Sequence, residues 1–200
     1  MTGELLPPLT DAELDSADRE RVAAATAFMG FDANDVRAMA RVPGLVAAMA
    51  ALIDSCYRPG RVPLELKRLM AYVSSRGAAS SYCEAHTLHG AQRAGVDPAR
   101  IAAASNFEES NLFTAADKAA LRLAYGAGTG AINGLAELRQ YFDADETAEL
   151  LAVLSLFAFL NRWNRLAETT LEQAPRTAVE SACKTTHTTS PETDDVARTG

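Results

Sequence analysis

The sequence is short of cysteine, aromatic residues and basic charge, and each shortage excludes something. Three cysteines, Cys56, Cys83 and Cys183, spread over 200 residues cannot make the dense, even-numbered disulfide framework of a small secreted domain. Aromatics form only 6% of the chain while alanine is plentiful. That mix favours closely packed helices over a β-sandwich, because alanine costs nothing in a helix and fills little of a pleated surface. The net charge is −7 and the pI about 5.0, with no basic stripe, so the electrostatic footprint of a nucleic-acid binder is missing. The same acidity gives no attraction to an anionic membrane. The longest apolar run, residues 150–160 broken only by Ser155, is too short to cross a bilayer and reads as a buried helix segment. Residues 1–20 are acidic and have no apolar core run, so no secretory leader is expected. A reducing, cytoplasmic setting with free thiols is the expectation. No metal or cofactor is expected either.

What is present is enough apolar residue, 48% of the chain, for one sizeable core. The pattern predicts an all-α domain. Thr10 or Asp11 caps a helix running to about Met29, ended by Gly30, and Asn34 or Asp35 starts a short helix through Arg41. Pro43 restarts the chain, with Val46, Met49, Leu52 and Ile53 marking the core face of a helix ending near Tyr57. Pro59-Gly60 is a break. Pro63 suits the first turn of a helix carrying Leu66, Leu69, Met70 and Val73 and closed by Gly77. Ser80 or Ser81 caps the next, through about Gly95. Asp97-Pro98 and Thr114 open two more, the second followed by a loose connection at Gly126, Gly128, Gly130 and Gly134. Asp143 or Asp145 caps the last long helix, to about Leu171. No segment alternates as a strand does. The expected organisation is a single helical domain over residues 1–175 and a flexible polar tail over 176–200, where Thr, Ser, Asp and Glu dominate. Cys183 and His187 sit four apart in that tail. Two ligands do not make a zinc site.

The informative segment is Ser80-Ser81-Tyr82-Cys83-Glu84-Ala85-His86-Thr87. Ser81 and Glu84 have capping-box spacing, which places Cys83 in the first helical turn. Unpaired N–H groups and the positive end of the helix dipole favour a thiolate there. His86, three residues on, shares that face and can take the thiol proton. The alternative reading is that Cys83 is a small buried apolar residue and His86 a satisfied core histidine. His89, one further turn along, either extends a relay or faces solvent.

At these residues the chain resembles the carboxymuconolactone decarboxylase and alkylhydroperoxidase D (AhpD)-like family, in its peroxidase-related branch. Three further stretches carry the resemblance: Met29-Gly30-Phe31 with Asn34 and Met39-Ala40-Arg41-Val42-Pro43; Leu64-Glu65-Leu66-Lys67-Arg68-Leu69; and Leu156-Phe157-Ala158-Phe159-Leu160-Asn161-Arg162-Trp163-Asn164. It runs from about residue 28 to 174. It implies an all-α, AhpD-like protomer that assembles as a homo-oligomer. In the redox members a Cys-x-x-Cys pair cycles between dithiol and disulfide, assisted by a histidine and an upstream glutamate. Cys83 matches the second cysteine and His86 the histidine, while Ser80 stands at the first. A serine cannot form the disulfide. Arg68 falls where the upstream acid is expected, and Glu65 lies one turn earlier.

The site implied by the resemblance is therefore Cys83, His86, Glu65 and Ser80 for catalysis. Tyr82, Arg68, Arg162 and Trp163 are the candidate substrate-binding residues; the Asn161-Arg162-Trp163-Asn164 cluster reads first as a helix or subunit interface contact and, as the alternative, as a pocket wall in which Arg162 binds a carboxylate. The activity implied is an antioxidant-type, peroxidase-like thiol oxidoreductase. It uses Cys83 with His86 as base, and the resulting sulfenic acid needs an outside thiol to resolve it. Two alternatives stand beside it. One is a non-redox enzyme in which His86 acts as acid or base on a small lactone or carbonyl compound. The other is a non-catalytic oligomer. Cys56, inside an apolar helix, reads as core.

Overall fold

The computed structural model describes residues 5–187, with side-chain surroundings described through residue 182. Ten α-helices and one 3-10 turn account for the ordered elements there, and no strand occurs among the described residues. They are α1 Ser16–Met29, α2 Asn34–Met39, α3 Leu45–Tyr57, α4 Leu64–Gly77, α5 Ser81–Arg93, α6 Pro98–Ala103, α7 Ala115–Thr129, α8 Leu135–Leu138, α9 Ala144–Ala167 and α10 Gln173–His187. The 3-10 turn, Ala104–Asn106, follows α6 directly. None of the described helices is long and apolar enough to cross a membrane.

The centre is α4. Its residues Leu66 to Ser75 are buried on nearly every side except at Arg68, because α5, α7 and α9 all pack around it. A helix enclosed in this way must let backbones approach, and here glycine supplies the space. A Cβ on Gly77 would stand 2.6 Å from the Tyr125 carbonyl oxygen, and one on Gly128 would collide with the Ser74 carbonyl. Gly126 and Gly128 therefore lie inside α7, not in the loose connection that glycine content alone predicts. Packing overrides the entropic cost of a helical glycine, roughly 1 kcal/mol.

One fully buried lysine sits in this core. Lys67 is 2% exposed and its ammonium meets a Glu149 carboxylate oxygen at 2.7 Å. Glu149 also accepts from the Arg61 amide at 2.8 Å and the Val62 amide at 3.3 Å. Together these hold its carboxyl down at about 2. The pair ties the α3–α4 link to α9.

Several helix boundaries depart from the sequence reading. Asp15, not Thr10 or Asp11, caps α1 through the Asp18 amide at 2.7 Å. The capping box expected from Ser81 and Glu84 does not form. Ser81 is already the first residue of α5, Ser80 holds the cap position without a capping hydrogen bond, and Glu84 faces Arg76 at 3.7 Å. Asp143 does cap α9, with a reciprocal bond from Glu146. That helix ends at Ala167, short of Leu171.

The largest departure is at the C-terminal end. Where a polar tail is expected from residue 176, α10 continues to His187 and packs on α5. Ala178 is buried, and Val179 and Ala182 pack on the main core. Their helical spacing suffices for docking although the segment's composition is polar. Residues 188–200, and the side chains of Cys183 and His187, lie outside the described residues.

Candidate active site

Cys83 occupies the first turn of α5 and is 3% exposed. Asn164, from the last turns of α9, directs its Nδ2 at the sulfur from 3.4 Å and at Asp35 Oδ2 from 3.2 Å. The amide is held in place by its own oxygen, which accepts from Thr169 Oγ1 at 2.9 Å. Ser80 is 1% exposed, and its hydroxyl has no hydrogen-bond partner of good geometry. It nevertheless faces the sulfur closely enough to favour the thiolate. Burial dominates all of this and pushes the thiol up to about 12, with Asp35 adding to the rise and Ser80 and Asn164 opposing it. The sequence reading of a helix-start thiolate is thus corrected: at rest the sulfur carries its proton, because loss of water outweighs the helix dipole.

His86 lies one turn along α5. Its Nε2 does not reach for the sulfur but pairs with Glu172 Oε2 at 2.7 Å. The two side chains are 14% and 10% exposed. Glu172 sits in the link between α9 and α10 and acts as a hub. Its Oε1 accepts from Tyr82 Oη at 2.7 Å and from the Asn34 amide at 2.6 Å. Burial works to raise the carboxyl. Hydrogen bonding and charge from His86, then the Asn34 amide and Tyr82, outweigh it and hold Glu172 below the usual carboxylate range. Tyr82 Oη in turn accepts from the Asp35 amide at 3.3 Å. Burial, reinforced by Asp35 and Glu172, pushes the phenol up, so it stays a donor. The imidazole is framed by rings. Phe31 meets it edge-on with centroids 5.0 Å apart, and Tyr82 lies against it at 4.0 Å. His89 points to the Met29 carbonyl at 3.1 Å and is part of no relay.

The structure therefore brings together four of the eight residues singled out from sequence: Cys83, His86, Ser80 and Tyr82. The others are elsewhere. Glu65 pairs with Arg100 at 2.8 Å on the far side of α4 and does not assist His86. Arg68 lays its guanidinium over the Tyr57 ring, 3.8 Å from the centroid. Arg162 is exposed on α9. Trp163 packs with Val153, Leu156 and Phe157 and stacks on Phe159 at 6.0 Å, so it belongs to the core. Cys56 is 3% exposed in that same cluster, as expected of a core residue.

Three site members were not read from the sequence: Glu172, Asp35 and Asn164. Glu172 has no local signature, because its role depends on the turn that returns α10 to α5. Asn164 stood within a stretch already singled out. The i, i+3 spacing of Asn161 and Asn164 on an otherwise apolar face was a usable signal, since a buried amide needs partners. No group of three or more metal-ligating side chains occurs among the described residues. A cleft of about 260 Å³ opens beside the site at the start of α5, reaching Ser80, Tyr82 and Asn164.

Known proteins share this arrangement of helices. The debrominase Bmp8 has the same fold in two structures. Its cysteine-to-alanine form in complex with 2,3,4-tribromopyrrole matches with 28% identity and a TM-score of 0.83, covering 90% of this chain and 98% of that one. The ligand-free form matches with 27% identity and a TM-score of 0.83, covering 91% and 100%. A peroxidase-related protein from Ralstonia eutropha JMP134 with an alkylhydroperoxidase AhpD core shares the fold at 18% identity and a TM-score of 0.73, covering 86% and 94%. No curated protein of established function is detectably similar in sequence. The model of the carboxymuconolactone decarboxylase family matches residues 43–125, the segment from the start of α3 through most of α7 that carries Cys83 and His86. Over that segment the chain is similar to the carboxymuconolactone decarboxylase family, and its fold is the AhpD-like helical one.

Proposed function

We propose that this protein is a single-cysteine, thiol-dependent reductase in which Cys83 attacks a soft electrophile and the His86–Glu172 pair moves the proton. The observation that carries this reading is the convergence on one buried thiol of an oriented amide donor and, one turn away, a histidine braced by a buried carboxylate. Purely structural cysteines do not need such surroundings.

The protonated resting thiol fits the chemistry. With a carbon-bound halogen, the sulfur forms a bond to the halogen as the carbon–halogen bond breaks, and the thiol proton, relayed by His86, ends on carbon. The products are a sulfenyl halide and the dehalogenated compound, and all atoms are accounted for. One outside thiol then displaces halide to give a mixed disulfide, and a second releases Cys83 and leaves as disulfide. Glu172 stabilises the imidazolium while it holds the proton, as a buried carboxylate does for a catalytic histidine. The ring of Phe31, Tyr82 and His86 offers a planar aromatic compound edges and faces to pack on. Similarity to a debrominase over nearly the whole chain favours a small halogenated aromatic substrate.

A second reading shares every residue. A hydroperoxide oxygen takes the place of the halogen, and Cys83 becomes a sulfenic acid that the same two thiols reduce. The peroxidase-related neighbours favour it, at lower identity. Both readings place the protein among small-molecule enzymes working in a compartment that supplies thiols, which fits a cytoplasmic setting, and with family members that assemble as homo-oligomers.

The test is turnover with dithiothreitol as reductant, following halide release from 2,3,4-tribromopyrrole and, separately, consumption of cumene hydroperoxide. Cys83→Ala should lower either rate by on the order of 1,000-fold or more. A Cys83→Ala protein that keeps its activity while His86→Ala loses it would sink the thiol reading in favour of acid–base chemistry on a lactone or carbonyl compound.

A further inference from the structure

The cleft at the start of α5 has features that the proposed chemistry on Cys83 does not by itself require. Its floor is Ser80 and Asn164, the two side chains that also face the Cys83 sulfur. Ser80 brings a hydroxyl that is buried and without a well-formed hydrogen bond. A buried polar atom left this way lacks a partner that a ligand can supply. Among the described residues, Ala79 at φ 50° and Glu168 at φ 53° are the non-glycine residues with positive φ. Both line this cleft. Left-handed backbone outside glycine costs of order 1–3 kcal/mol and persists where the surroundings impose it.

The rim carries opposite charges. Arg165, at the end of α9, is exposed, and its one described hydrogen bond goes to the Ala78 carbonyl at 3.1 Å. Glu168, the left-handed residue that ends α9, is exposed three positions later. Neither is in an ion pair among the described residues, so both charges are open to a ligand. The cleft thus presents a cation, an anion and, deeper, a buried hydroxyl without a well-formed hydrogen bond beside the Cys83 sulfur.

We propose that this cleft binds the outside reductant, a low-molecular-weight thiol with an amino-acid head group. Its carboxylate pairs with Arg165, its ammonium with Glu168, and its sulfur passes Ser80 to reach Cys83. This rests on the thiol-reductase reading above. The step served is attack of the incoming thiol on the oxidised Cys83 sulfur. A sulfur–sulfur bond forms, the sulfur–halogen or sulfur–oxygen bond breaks, and halide or water leaves with the incoming thiol's proton. A second molecule of the same thiol then releases Cys83 as thiol and departs as the symmetric disulfide.

Two measurements on the full chain test this. The first is a titration with S-methylglutathione, an unreactive thioether with the zwitterionic head, followed by NMR or calorimetry. Binding should weaken by about 10-fold or more in R165Q and in E168Q, since each removes a charge-assisted bond. The second is turnover, read as the ratio of KM for glutathione to KM for the uncharged 2-mercaptoethanol. That ratio should rise by a similar factor in both variants. Absence of S-methylglutathione binding to the wild type, or equal binding by wild type and both variants, overturns the proposal. Binding that depends on Arg165 and Glu168 in a protein that turns over with no thiol upholds the cleft as a ligand site and removes the redox reading instead.

Discussion

Two cysteines lie buried to the same degree in this protein, and their surroundings differ. Cys56 and Cys83 are each 3% exposed, and burial raises the pKa of both. Cys56 sits among Val46, Met49, Val153 and Phe157, with the charge of Lys67 nearby. Cys83 has an oriented amide, a facing hydroxyl and a nearby carboxylate, with a braced histidine one turn on. Solvent exposure and the direction of the pKa shift therefore do not separate a core cysteine from a candidate nucleophile. The directed polar groups do, because each is itself buried and costs free energy unless it is used.

The largest effect should come from exchanging the two thiols in turn. Cys83→Ala should reduce turnover by on the order of 1,000-fold or more, whereas Cys56→Ala should keep the rate within about twofold and cost about 1 kcal/mol of stability through the lost sulfur. Denaturant unfolding alongside a halide-release assay reads both. A Cys56→Ala enzyme as inactive as Cys83→Ala would erase the distinction.

Next in size is Glu172→Gln. The amide keeps the shape but cannot stabilise an imidazolium, so kcat should fall by roughly 100-fold, within the range of acid–base assistance. The pH–rate profile should change with it. A rise in KM alone, with kcat and pH profile intact, would make Glu172 a structural clamp. On the Cys56 side the matching change is Glu149→Gln, which strands the buried Lys67 ammonium. It should destabilise by about 3 kcal/mol in urea unfolding while leaving kcat near the wild-type value.

The smallest effect is in acid. Glu149, at about 2, and Glu172 are both held below their ordinary value of 4.5 in the folded state. A depressed carboxyl contributes stability that is fully present above the unfolded value and is lost as pH falls through the folded one. Stability should therefore be level above about pH 5 and decline below about 4.5. Glu149→Gln should flatten that decline. An unchanged slope would place the acid sensitivity in other carboxylates.

Much of this was legible in the chain of residues. The helical class, the placement of Cys83 and His86 on one helix and the core role of Cys56 follow from spacing and composition, and the four matching stretches point to the family. The partners of His86 and Cys83 did not follow. Arg68 falls where the resemblance puts the acid and Glu65 lies one turn earlier, yet α4 turns Glu65 toward Arg100. Glu172 supplies the carboxylate from 86 residues away, just before a segment whose polar composition hides the helical spacing of Ala178, Val179 and Ala182. Contacts made by a returning chain leave no local pattern. The same holds for the resting thiol: helix position argues for a thiolate, and only the packed structure shows that exclusion of water wins.

The most direct measurement is a single turnover without thiol. One equivalent of 2,3,4-tribromopyrrole or cumene hydroperoxide is mixed with the enzyme, and each cysteine is followed by alkylation and peptide mass analysis. Product should form in step with loss of the free Cys83 thiol while Cys56 stays reduced, and Glu172→Gln should slow both together. Product forming while Cys83 remains a free thiol would contradict a cysteine-based reductase.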